Sequence, residues 1–143
     1  MKEVGVSRGK LLTWIVILFC SVLLHGCIDE EEQRNLDLNG AIILSDPDRV
    51  RSLIRSGADP NYRINGPNGD PALMTAIGFF DDCRKNHKEL ETKSREVIKV
   101  LLENGADPNV RLSTGRTVYQ SFHLLVRPTD PEIEKLLIEK GAK

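Results

Sequence analysis

The chain has 143 residues, a formal net charge of −1 and an aromatic content of 5%. That length allows one domain, the charge balance argues against a nucleic-acid partner, and so few aromatics offer no base-stacking platform.

Lys2, Arg8 and Lys10 give a basic start opposed only by Glu3, and Leu11 to Leu24 is an apolar run softened by Thr13 and Ser21. This is the layout of a secretory signal, shorter than the ~20 residues of a membrane-spanning helix. The run ends Leu23-Leu24-His25-Gly26-Cys27, which resembles the lipobox of bacterial lipoprotein signal peptides, with His25 where a small or apolar residue is usual. The resemblance implies cleavage before Cys27, diacylglycerol on its thiol and a membrane anchor. An uncleaved signal anchor and a plainly cleaved signal are the alternatives. Ile28 rather than Asp after the cysteine implies, in that family, the outer membrane and an envelope location on its periplasmic face.

Loss of residues 1–26 removes three basic groups and one acidic group, leaving 17 Lys+Arg against 20 Asp+Glu, a net −3. With Cys27 acylated, Cys83 stands alone, so stability has to come from packing rather than a disulfide. Ile28 to Asn35 is acidic and lacks apolar periodicity, which reads as a solvated tether. The expected organisation is a signal over 1–26, a tether over 27–35 and a folded domain over 36–143.

From residue 36 onward one pentapeptide organises the chain: Gly57-Ala58-Asp59-Pro60-Asn61 recurs as Gly105-Ala106-Asp107-Pro108-Asn109 and closes, truncated, as Gly141-Ala142-Lys143. Each copy follows apolar residues three and four places earlier, at Leu53-Ile54, Leu101-Leu102 and Leu137-Ile138. Glycine takes the left-handed conformation that ends a helix, proline cannot continue the ladder, and Asp and Asn bond back to their own turn. Eleven residues before the three glycines stand Asp46, Ser94 and Asp130, all expected N-caps, and proline follows Asp46 and Asp130.

These units resemble the ankyrin repeat, a β-turn finger followed by two antiparallel helices with a period near 33 residues. Gly69-Asp70-Pro71-Ala72-Leu73-Met74-Thr75-Ala76-Ile77 follows the family's first-helix pattern closely. Gly115-Arg116-Thr117-Val118-Tyr119-Gln120-Ser121-Phe122 follows it loosely, and Leu38, Ala41 and Ile42 align with Leu73, Ala76 and Ile77. The resemblance implies an all-α solenoid of about three helix–turn–helix units, near 36–67, 68–114 and 115–143. The spacing from Ala76 to Gly105 exceeds the ordinary 16 of Ala41 to Gly57 by 13, which places an insertion at 79–93. It lacks Gly and Pro and is expected to lengthen both helices of its unit. Val50, Leu53, Ile54, Leu73, Ala76, Ile77, Ile98, Leu101, Leu102, Leu136, Leu137 and Ile138 are expected to form the core, with Glu134 as a polar end cap.

No catalytic site is expected: His87 and His123 have no nucleophile at a recognisable spacing, and Gly115-x-Thr117 lacks the Lys-Ser/Thr of a phosphate loop. No cofactor, metal or small-molecule substrate is assigned. Asp81, Cys83 and His87 give a metal-handling alternative, and neutralisation of an antibacterial toxin is a second one. The resemblance implies binding of an unidentified protein through finger tips and the exposed side of the first helices. The candidates are Tyr62, Arg63, Ile64, Asn65 and Asn68 in the first finger, Arg111, Leu112 and Ser113 in the second, and Phe79, Phe80 and His87 in the insertion.

Overall fold

The repeated helix stop folds the same way three times. Gly57, Gly105 and Gly141 have φ of 100°, 97° and 87°, a region open to glycine without a Cβ clash. Around each, two backbone bonds recur: Ala58 N–H to Leu53 O, Ala106 N–H to Leu101 O and Ala142 N–H to Leu137 O, all 3.0 Å, with each glycine N–H donating to the apolar residue three before it. This is the double closure that satisfies the last carbonyls of a helix.

The computed structural model describes residues 29–143; the basic start, the apolar run and Cys27 lie outside them. The described helices are α1 (Glu30–Ile43), α2 (Pro47–Arg55), α3 (Ala72–Asn86), α4 (Glu91–Glu103), α5 (Val118–Leu125) and α6 (Pro131–Glu139). They pair as α1/α2, α3/α4 and α5/α6. Two fingers join the pairs, each closed by an isolated antiparallel bridge, Arg63 with Pro71 and Arg111 with Thr117. The architecture is an all-α ankyrin-repeat solenoid. Among the described residues no helix is long and apolar enough to cross a membrane.

Two of the three expected caps form. Asp46 accepts from Arg49 N–H, and Asp130 from Glu132 and Ile133 N–H, with proline at the first helical position in both. Ser94 does not cap. It is buried inside α4, and its hydroxyl donates to Leu90 and Glu91 carbonyls. The insertion moves the start of the helix back to Glu91, preceded by a single 3-10 turn over Lys88–Leu90. Both helices are lengthened as expected: α3 runs to Asn86, and α4 has 13 residues where α2 and α6 have nine.

Part of the segment expected as a solvated tether is folded. Residues 30–35 are helical, with Glu30 to Glu32 at the positive end of α1, where acidic side chains are favoured. Asn35 is buried, and its Oδ1 accepts from Asp59 N–H at 2.7 Å.

Most of the expected core is buried, while Leu53, Ile54 and Leu136 are half-buried. Ile138 is the exception at 54% exposed; its counterpart Leu102, covered by the following helix pair, is 1% exposed. Val97, Val100, Phe122, Val126 and Ile133 join the core unannounced. Glu134 sits half-buried where Val50 and Ile98 are fully buried, 3.6 Å from His123, as a polar end position should.

Candidate protein-binding surface

The surface is built by the exposed side of α1, α3 and α5. On α1 and α3 the triplets Leu38/Ala41/Ile42 and Leu73/Ala76/Ile77 are all 1% exposed or less, which fixes the rotation of both helices. The next two residues are therefore equivalent: Ile43-Leu44 in the first unit and Gly78-Phe79 in the second, with Leu124-Leu125 in register on α5. Ile43, Leu44, Leu124 and Leu125 are 43%, 72%, 49% and 36% exposed. Apolar groups are thus left in water at equivalent places of the first and third units, and exposed apolar surface of this kind marks interaction sites.

Two grooves run through it. One follows α3, lined by Asp70, Met74, Gly78, Phe79 and Asp82. The other lies between α3 and α5 under the second finger, lined by Met74, Leu112, Arg116, Leu124 and Leu125. Met74 lines both. A further cavity, about 170 Å³, opens between α4 and α6 on the far helices. Its Arg95 is already engaged by Glu91 and Asp130 at 2.9 Å each, which makes that cavity part of the scaffold.

The fingers are held by their own residues. Arg63 donates to Gly69 O at 2.8 Å and to Arg111 O at 2.6 Å, so it is a strut between fingers. Arg111, more exposed, repeats the first half of this with a 2.8 Å bond to Gly115 O. Ile64 is half-buried, and its carbonyl crowds Gly69 so closely that a Cβ there would lie 1.4 Å away. Tyr62 is half-buried, while Asn65, Asn68 and Ser113 are at the tips.

Asn61 and Asn109 do something the spacing did not reveal. Each reaches forward rather than back: Asn61 donates to Gly105 O and accepts from Asp107 N–H, and Asn109 donates to Gly141 O and accepts from Lys143 N–H, all at 2.8–3.0 Å. Asn35 makes the corresponding bond to the first pentapeptide. Asp59 and Asp107 do bond back, each accepting from the Asn two residues on at 2.8 Å.

In the insertion, Phe79 lines the groove but Phe80 does not, because one residue turns the side chain by about 100° around the helix. Phe80 is fully buried, with Arg84 and Arg95 over its ring at 5.7 and 5.3 Å. His87 stands beyond the end of α3, exposed and 3.8 Å from Glu89. Cys83 and Asp81 are buried, and Asp81 pairs with Lys85. The helix face expected to unite Cys83 and His87 is thus broken. Among the described residues no group of three His, Cys, Asp or Glu is placed to hold a metal. The sequence reading missed Met74, Leu124 and Leu125, although Met74, Gly78 and Asp82 recur at every fourth position.

A solenoid of paired helices with an apolar face on the inner row is the form of an ankyrin-repeat interaction module. Residues 68–112 match the ankyrin repeat family. The chain is also similar to an ankyrin repeat-containing protein of Treponema pallidum (strain Nichols), 34% identical over 80 residues. That stretch covers 56% of this chain and 22% of that protein, so the chain spans well under a third of its relative's length. The ankyrin repeats suggest protein–protein interaction as the coarse function.

Proposed function

We propose that the chain is a lipid-anchored protein of the bacterial cell envelope, held at the periplasmic face of the outer membrane through Cys27, and that it captures another protein along the groove of α3 and α5. The observation that carries the binding half is the solvent-facing pair Leu124 and Leu125, which lines one groove with Met74, while Met74 and Phe79 line the groove along α3. The anchor half rests on the lipobox-like Leu24-His25-Gly26-Cys27 after a basic start and an apolar run.

Each half has its own experiment. A photo-cross-linking residue at Leu124 in cells should trap a discrete partner, whereas one at the exposed Lys135 of α6 should not. Equal trapping from both places would remove the groove from the proposal. Cys27→Ala should abolish incorporation of an alkyne fatty acid and release the chain from the membrane fraction. Undiminished labelling in that variant would end the lipid anchor.

A further inference from the structure

The spacing and charge of the groove define what fits it. Packed helices lie about 8–10 Å apart axis to axis. The helices α3 and α5 pack against each other, so Phe79 and Leu125, at equivalent places of the two, are presented at roughly that interval. Seven residues of an α-helix rise about 10.5 Å and return to nearly the same face. A β-strand repeats a face every ~6.6 Å, so its side chains fall short of the second apolar residue or overshoot it.

The charges around these two places are unequal. Asp70 and Asp82 bracket Met74, Gly78 and Phe79 in the middle unit, whereas Arg116 borders the groove in the third. Both aspartates are exposed, and Asp82 accepts a 2.6 Å bond from Asn86. The middle of the groove thus asks for cations and its third-unit end for an anion.

We infer that the groove receives an amphipathic α-helix of the partner, laid across α3 and α5, with apolar residues at every seventh position, basic residues flanking the turn over α3 and an acidic residue over Arg116. This rests on the groove being the capture surface. The heptad stripe fills the places beside Phe79 and Leu125, and the basic flanks meet Asp70 and Asp82.

The test uses the full chain in lipid nanodiscs and fluorescent helical peptides of about 18 residues, long enough for two apolar positions a heptad apart. The reference peptide has leucine at every seventh position, lysines around the first and a glutamate beside the second. A second peptide has the same composition with its leucines scattered around the helix, and a third has glutamate for lysine. The reference peptide should bind, and the other two should bind at least about tenfold more weakly, since like charges oppose one another at an interface. The Asp70→Lys/Asp82→Lys chain, with its thermal midpoint retained, should invert the preference and take the glutamate peptide. Equal affinity for all three peptides, or a preference that survives the charge swap, would overturn the inference. So would co-sedimentation of the Cys27→Ala chain with phosphatidylglycerol vesicles that a Leu124→Glu change abolishes, which would make the patch a lipid-facing one. If Leu124 cross-links a partner in cells but no peptide binds, the capture surface stands and the helical ligand falls. If Leu124 cross-links nothing, the capture surface itself falls.

Discussion

The central and C-terminal helix pairs share a plan and differ in two ways that explain each other. The central pair is enlarged, with a 13-residue α4 against the nine residues of α6. It also has another pair stacked on it, so Leu102 is 1% exposed where Ile138 is 54% exposed. The enlargement braces the third unit. Arg84 donates to Pro128 O at 2.9 Å, and Arg95, oriented by Glu91, bonds Asp130 at the start of α6 and lies 3.6 Å from Glu132. Phe80 sits between these two arginines and carries them on its ring. The 79–93 insertion therefore gives Phe79 and Asp82 to the groove, and Phe80, Arg84 and Glu91 to holding α5 and α6 in place.

The comparison breaks most sharply at equivalent apolar positions. Leu101→Ala, at a site with no exposure, should cost on the order of 2–5 kcal/mol in a denaturant titration, a large share of what so small an array has. Ile138→Ala should cost under about 1 kcal/mol, because most of its side chain already meets water. Equal losses would mean that the terminal position is as well packed as the interior one.

Next in size is the brace. Asp130→Ala removes a cap that accepts two N–H groups and strands Arg95, for a cost of about 1–3 kcal/mol. Burial alone would raise the Asp130 pKa, but bonds from Ile133 N–H, Arg95 and Glu132 N–H outweigh it and hold the group below its usual 3.8. A carboxylate depressed in the folded state stabilises fully above its unfolded pKa and loses that contribution as pH falls through the folded value. The gap between wild type and Asp130→Ala should accordingly be constant near neutrality and shrink as pH drops below about 4. A gap that stays constant down to about pH 2 would mean that the N–H donors of α6 and Arg95 together give the carboxylate no net advantage over its acid form.

How much of this was legible depends on which features are local. Helix stops and the caps at Asp46 and Asp130 are set by residues within one turn, so counting along the chain finds them. Asn61, Asn109 and Asn35 act on the neighbouring unit, and nothing in a single pentapeptide says which way a side chain reaches. The same limit hid the groove: Met74 and Leu124 meet only after α3 and α5 pack. Phe80 was misplaced although it continues the buried face of Leu73, Ala76 and Ile77 at helical spacing, one residue away from the groove-lining Phe79. Asn61→Ala, which leaves Asp107 N–H and Gly105 O without their partner, should cost about 1 kcal/mol by urea titration. No change would reduce the forward bond to a decoration of the finger.

The smallest effect discriminates most finely between the two helix starts. By position Ser94 corresponds to Asp46 and Asp130, and as an N-cap its replacement by alanine would cost about 0.5–2 kcal/mol. Inside α4 its hydroxyl instead donates to Leu90 and Glu91 carbonyls one turn back, a bond that adds little to a ladder already formed. Alanine has the higher helix propensity, by up to about 0.5 kcal/mol, and offsets what the lost bonds contribute. Ser94→Ala should therefore leave the urea midpoint unmoved while Asp46→Ala lowers it. A loss at Ser94 as large as that at Asp46 would return the start of α4 to residue 94 and make Glu91 to Lys93 part of a loop, which would also release Glu91 from its hold on Arg95.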